Sequence, residues 1–195
     1  DASSIIINNT LLATGTSVFD FYNNGATENN VAYTQTYAGI NTRNFVVPGT
    51  NINIATGATS VRMFFDVAKG AFRAGRAVGT QWDTANRGIY TTALGKNNIA
   101  LGTASFIAGG ALNTITGSGS FIGGGFNNTI TGRYSAIESG QTNTVAGIGS
   151  FIGGGNNNSV SGTFISIVGG DSNTSLGDYS FIGGGNNNLI TLNST

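Results

Sequence analysis

The sequence predicts an all-β protein dominated by a parallel β-roll, a β-solenoid with coils of fifteen residues. Three observations predict it. The hexapeptide Ser120-Phe121-Ile122-Gly123-Gly124-Gly125 returns at Ser150 and Ser180, thirty residues apart each time, and weaker copies begin midway, at Ser105, Ser135 and Ile165. With copies counted from zero at 90, 105, 120, 135, 150, 165 and 180, offset five is always Gly: Gly95, Gly110, Gly125, Gly140, Gly155, Gly170 and Gly185. Offset eight is always Asn: Asn98, Asn113, Asn128, Asn143, Asn158, Asn173 and Asn188. A strict short period means one structural unit stacked on itself.

Each position of the unit has a physical reading. Gly also fills offset twelve, from Gly102 to Gly177, and glycine tolerates positive φ and close backbone approach. Two Gly positions seven residues apart predict two turns per coil. Between them, offset two is Ile from Ile107 to Ile182 with Thr92 in the first copy. Offset ten is Ala100, Ile115, Ile130, Val145, Val160 and Ile190, with Ser175 as the exception. These short β-branched runs suit strands, so one coil holds two strands and successive coils rise by about 4.8 Å. Equivalent side chains then fall above one another. The Ile and Val columns fill the interior, and the Asn column is expected to pair amide to amide as a ladder.

Offset one is Phe106, Phe121, Phe151 and Phe181. Neighbouring strand residues face opposite ways, so an inward Ile column sets the Phe column outward. Offset three beside it is small, at Ala108, Gly123, Gly153 and Gly183. An outward apolar column marks an interface, and chains are expected to pack side by side along it. The alternative is that each Phe folds over the turns of its own chain.

Residues 1–60 carry no repeat. Ser4-Ile5-Ile6-Ile7, Ser17–Tyr22, Asn44–Val47 and Asn51–Ala55 read as short strands of a small irregular β region, separated by Asn23-Asn24-Gly25, Pro48-Gly49 and Thr56-Gly57. Residues 61–89 hold five of the eight basic residues and the only Trp and Met. A solenoid needs a cap over its first coil, and Phe64, Phe65, Phe72 and Trp82 are expected to supply it. Asp66 and Asp83 are expected to pair with Arg62, Arg73, Arg76 or Arg87 across subunits; the functional alternative is a basic patch for an acidic ligand. Residues 90–195 form the roll of seven coils.

Composition excludes several classes. The 32 Gly and single Pro among 195 residues, without Gly at every third position, exclude collagen. Zero net charge argues against nucleic-acid binding through phosphates. No apolar run reaches membrane-spanning length. Without His or Cys, the common triads, disulfides and zinc sites cannot be built. The eight carboxylates (Asp1, Asp20, Glu28, Asp66, Asp83, Glu138, Asp171 and Asp178) show no acid/base spacing. The Gly-rich unit lacks the Asp of calcium nonapeptides, and Gly95-Lys96 is followed by Asn97 rather than Ser or Thr, so no phosphate loop is present. No enzyme activity, metal or cofactor is expected. The chain opens on Asp1 without a basic leader, as expected of a processed or excised product. Five Asn-x-Ser/Thr sites match a glycosylation sequon, at Asn8, Asn127, Asn157, Asn173 and Asn193, and chance accounts for most of them in a chain so rich in Asn, Ser and Thr.

The unit Ser-Phe-Ile-Gly-Gly-Gly-x-Asn-Asn-x-Ile-x-Gly is similar to the head repeats of YadA-like trimeric adhesins, and closer still to repeats of phage and giant-virus fibre proteins. The stretch Met63–Tyr90, with Met-Phe-Phe-Asp, Lys-Gly-Ala-Phe-Arg-Ala-Gly, Trp-Asp and Asn-x-Gly-x-Tyr, resembles the lead into those heads. Together these cover about 61–190, two thirds of the chain. The resemblance implies a left-handed, trimeric parallel β-roll on a virion or cell surface, with attachment or adhesion as its role. The departures are a longer repeat with more Phe than in YadA, and Ser135-Ala136 and Ile165-Ser166 in place of Ser-Phe.

The expected function is therefore a structural homotrimeric fibre or head, with the turns at Gly132-Arg133-Tyr134 and Gly177-Asp178-Tyr179 available to a host glycan or receptor, or to other surface proteins. Two other classes compete. An ice-binding solenoid needs a regular Thr array; Thr114, Thr129 and Thr144 share offset nine, but Ser159 and Leu189 break the column. A glycan-cleaving solenoid of the tailspike kind needs paired carboxylates on one face.

Overall fold

The computed structural model describes residues 7–11, 17–21, 60–66 and 68–191. The chain divides into two compact units, Asp1–Thr50 and Asn51–Thr195. In the first, β1 (Ile7–Leu11) and β2 (Ser17–Phe21) pair antiparallel, from Ile7↔Phe21 to Leu11↔Ser17. The strands expected at Asn44–Val47 and Asn51–Ala55 lie outside the described residues.

The second unit is a parallel β-solenoid of seven coils. It opens with an antiparallel hairpin, β3 (Ser60–Asp66) and β4 (Ala71–Ala77). β4 then pairs parallel with β5 (Thr92–Lys96), and β6 (Ile99–Ala100) begins a second sheet. From Phe106 onward every coil adds one two-residue strand to each sheet, Phe106–Ile107 to the first and Thr114–Ile115 to the second. The first sheet reaches nine strands and the second seven, parallel throughout apart from the β3–β4 pair. Register is fifteen residues per rung, as in Ile122↔Ile137↔Ile152 and Thr114↔Thr129↔Thr144. A single 3-10 turn, Thr84–Asn86, is the helical content of the described residues.

Two-residue strands hold because each residue is bonded to coils above and below. Ile107, Ile122, Ile137, Ile152 and Ile167 from one sheet face Ile115, Ile130, Val145 and Val160 from the other, all fully buried. The copy at 165 exchanges its polarity. Ile165 occupies the Ser column and joins the apolar core, while Ser175 is buried in the aliphatic column and its hydroxyl meets that of Ser180.

The first coil corrects the sequence reading. Thr92 pairs with Phe106 and Ala93 with Ile107, so Ala93, not Thr92, takes the inward place, with 1% of its surface exposed. Lys96 still pairs with Ala111. The first coil is therefore one residue shorter between Ala93 and Gly95. A count aligned on the Gly column places that gap at the start of the copy, two residues before its position in the structure.

The turns rest on two left-handed columns. One holds Asn97, Leu112, Asn127, Thr142, Asn157, Ser172 and Asn187, with φ between 53° and 61°. The other holds Tyr90, Ala104, Gly119, Tyr134, Gly149, Phe164 and Tyr179, with φ between 54° and 65°. This conformation turns each N–H down the stack, where it donates to a carbonyl of the preceding coil. Tyr134 N–H reaches Ser118 O at 2.9 Å, and Asn127 N–H reaches Ala111 O at 3.0 Å. The two Gly columns serve different needs. Gly125 has φ +89°, whereas Gly132 lacks a positive φ but has the Gly147 carbonyl 1.8 Å from where a Cβ would stand.

Candidate functional site

Vertical register comes from two buried polar ladders. Each Asn Oδ1 from Asn98 to Asn173 accepts the backbone N–H of the Asn one coil later, at 2.8–3.0 Å. Each amide nitrogen donates to the Gly carbonyl of the next coil, as Asn128 does to Gly140 O at 2.9 Å, and to a carbonyl four residues back, such as Gly124 O at 3.1 Å. The expected amide-to-amide pairing occurs in three steps among the described residues: Asn158 to Asn143, Asn173 to Asn158 and Asn188 to Asn173. At the earlier steps the amide nitrogen donates to backbone carbonyls alone. Asn188, in the last coil, is exposed.

A second ladder was not read from the sequence. The Ser135 and Ser150 N–H groups donate to Ser120 and Ser135 Oγ at 3.2 and 3.1 Å. Those hydroxyls donate in turn to Gly132 O and Gly147 O at 2.9 and 2.8 Å. The signal was present in the Ser that opens each hexapeptide. It gives the offset-twelve Gly a second duty, as acceptor.

The outer face of the first sheet carries the Phe column in continuous register: Phe65, Phe72, Thr92, Phe106, Phe121, Ala136, Phe151, Ser166 and Phe181. Phe106 and Phe181 are exposed, and Phe121 and Phe151 half-buried. The Phe106 and Phe121 rings lie 5.7 Å apart. Phe121, Phe151 and Phe181 each lean over the Gly two residues on, 3.4 Å from where its Cβ would stand. Where Phe is missing, offset three enlarges to exposed Glu138 and Val168. Of the residues expected to cover the first coil, Phe64 and Trp82 are buried and meet edge-on at 5.8 Å. Phe65 is 39% exposed and Phe72 half-buried, both in the outer column.

The coil interior is closed instead by Arg73, which stands in register with Ala93 and is fully buried. Its guanidinium donates to Phe72 O, Thr91 O, Thr91 Oγ1 and Ala100 O at 2.9–3.1 Å. Burial, with Arg87 nearby, lowers its pKa to about 10, while Asp66 acts the other way. Asp66 pairs with Arg87 of its own chain, Oδ2 to Nε at 2.9 Å, both side chains 3% exposed. The pairing expected across subunits is thus internal for this couple, because the β3–β4 turn folds Asp66 against Arg87, the residue that follows the 3-10 turn Thr84–Asn86. Arg73 and Arg87 are both buried, which removes two of the cations from any basic patch.

The turns named for ligand contact carry a second outward column. Tyr90, Tyr134, Phe164 and Tyr179 are 70%, 72%, 54% and 79% exposed. Among the described residues no three Asp or Glu side chains converge, and no helix is long and apolar enough to cross a membrane. The arrangement offers stacking faces, hydroxyls and amides. Its geometry defines a β-solenoid with two outward aromatic columns. No protein-family model matches the chain, and no curated protein shows significant similarity to it.

Proposed function

We propose that the chain is a structural fibre or head protein of a virion or cell surface, homotrimeric, and that it mediates attachment. The observation that carries this reading is the outward Phe column on a parallel sheet whose inner face is already filled. Parallel sheets are ordinarily covered on both faces. The column runs from Phe65 to Phe181 and alternates rings with the small residues Ala136 and Ser166, a relief suited to the side of another copy. Rigid repetition then displays equal weak sites whose binding gains by avidity. Equilibrium sedimentation is expected to give three times the 19.8 kDa chain mass. The double variant Phe121→Asp/Phe151→Asp is expected to give monomer or insoluble protein; a stable trimer carrying both changes removes the Phe interface. Attachment is read separately, by retention of the labelled chain on intact cells.

One observation favours a second reading, an ice-binding solenoid. The second sheet sets Thr114, Thr129 and Thr144 in register, and strand alternation sets Thr116 and Thr131 beside them on the same face. Thermal hysteresis in purified protein selects that reading, and its absence leaves the fibre.

A further inference from the structure

We infer that Asn127 and Asn157 are acceptor sites for Asn-linked glycans, and that the like triplet at Asn173 is closed to them. This goes beyond the attachment reading and stands or falls apart from it.

The phase of each triplet within its coil carries the argument. Asn127-Asn128-Thr129 and Asn157-Asn158-Ser159 begin at offset seven, and Asn173-Thr174-Ser175 begins one residue later, at offset eight. Burial alternates residue by residue here: Asn127 is exposed, Asn128 buried, Thr129 outward and half-buried, Ile130 buried. The same order holds from Asn157 to Val160. A shift of one residue therefore exchanges outside for inside. It sets Asn173 in the buried ladder and Ser175 in the core column, both without exposed surface.

An Asn-linked glycan takes an Asn whose amide is free, read together with a hydroxyl two residues on. Among the described residues nothing hydrogen-bonds the Asn127 side chain. The Asn157 amide makes one bond at the surface, to Ser172 Oγ at 3.3 Å. The ladder is untouched at both sites, since Asn128 and Asn158 supply it. Asn173 differs at each group. Its amide nitrogen donates to Asn158 Oδ1, Gly169 O and Gly185 O at 2.9–3.2 Å, and Ser175 Oγ lies against Ser180 Oγ. A sugar on that nitrogen displaces the Gly185 carbonyl of the next coil. Asn97 and Asn187 share offset seven with the open sites, but Ile99 and Leu189 stand where the hydroxyl is required.

The transfer joins Asn Nδ2 to the anomeric carbon of an oligosaccharide held on a lipid diphosphate. The anomeric C–O bond breaks, the lipid diphosphate leaves, and one Nδ2 proton passes to the transferase. Such an enzyme works on the unfolded chain, so folding acts as the filter. A sugar at Asn127 or Asn157 hangs from the turn that joins the two sheets and lets the coil close, and one at Asn173 does not. The two open sites lie two coils apart, about 10 Å. They stand on one edge of the roll, off the Phe column, so glycans there and side-by-side packing along that column are compatible.

The test is secretion of the full chain from insect cells behind a cleavable leader, in an Asn8→Gln/Asn193→Gln background that leaves the three triplets of the roll. Protein retained in the cell is purified from microsomes and mapped in the same way. Folded, protease-resistant protein is expected to carry a glycan at both Asn127 and Asn157, read by peptide mass after amidase release in heavy-oxygen water. Occupancy at Asn173 is expected to be at least tenfold lower. Thr129→Ala and Ser159→Ala leave both acceptors in place and should each remove one glycan. Thr142→Asn completes a triplet with Asn143 and Thr144 in the open phase and should add one. Folded protein lacking a glycan at either Asn127 or Asn157 overturns the proposal, as does Asn173 occupied as fully as they are. Failure to form trimers or to stay on cells bears on the attachment reading alone.

Discussion

Asn143 shows how one residue type can be fixed at a position. It is fully buried, and every polar group on it is used. Oδ1 accepts Asn158 N–H at 2.9 Å, and the amide nitrogen donates to Ser139 O and Gly155 O at 3.3 and 3.0 Å. Asn143→Asp keeps the shape but turns the donor into a second acceptor facing two carbonyls. Stranded buried groups cost about 1–3 kcal/mol each, more when charged, so a loss of about 3 kcal/mol is expected in urea unfolding. The introduced carboxyl has a folded pKa above its unfolded value, because burial disfavours its charge. The variant is therefore relatively most stable below the unfolded pKa, and stability falls as pH rises through the folded one. The glycines divide in the same way. Gly132→Ala sets a Cβ 1.8 Å from Gly147 O and should prevent the coils from closing. Gly124 has open space and no positive φ, so Gly124→Ala should gain about 0.4–1 kcal/mol by restricting the unfolded chain. Equal midpoints for these two alanine variants would contradict the close approach of coils at offset twelve.

At the scale of elements, the hairpin of β3 and β4 is where sequence and structure part. The coils were legible because the period exposes them: invariant Gly and Asn name the turns, and Ile alternation names the inward side. The left-handed columns carried no such signal, because Tyr, Leu, Thr, Phe and Ala hold them as well as Asn and Gly. Nor did an arginine advertise itself as the closure of an apolar coil, since charge patterning assigns it to the surface. Arg73 and Arg87 make opposite predictions. The Thr91 and Ala100 carbonyls that receive Arg73 also accept Phe72 N–H and Gly88 N–H at 2.8 and 2.9 Å. Arg73→Met strands neither of them and removes a charge that burial disfavours. Apolar replacement of a buried charge is often neutral or stabilising by about 1–4 kcal/mol, so its midpoint should hold or rise. Arg87→Met instead leaves the buried Asp66 carboxylate without its cation and uncovers the Phe64 ring, over which the guanidinium sits at 5.5 Å. Breaking a buried pair from one side costs about 3–5 kcal/mol. Thermal unfolding of the two variants side by side decides whether Arg73 acts as a filler and Arg87 as a partner.

For the whole solenoid, stability is a sum over coils and the contacts between neighbours. Each interior rung has a coil on either side and shares the Asn ladder with it, and the rungs from Ser120 to Ile165 share the Ser ladder as well. The last described rung has one neighbouring coil. There Phe181 and Leu189 are 66% and 62% exposed, and Ile182 keeps 6% exposure where the inner Ile residues keep none. Asn188 bonds to Asn173 and to Gly184 O, without the next-coil Gly that every earlier Asn reaches. The Ser ladder is broken before this point by Ile165, so the final rungs also lean on fewer polar ties. Amide hydrogen exchange should therefore follow position along the stack. The slowest amides are expected in the coils from Ile122 to Val160, and exchange should quicken toward Phe181–Ile190, with local opening free energy far below the global value. A trimer packed along the Phe column, as proposed, would protect the side of the roll and not this end, so the gradient should survive trimer formation. Uniform protection through Ile190 would mean that the terminal rung is covered, by further coils or by another copy set end to end, and that the stack is longer than seven.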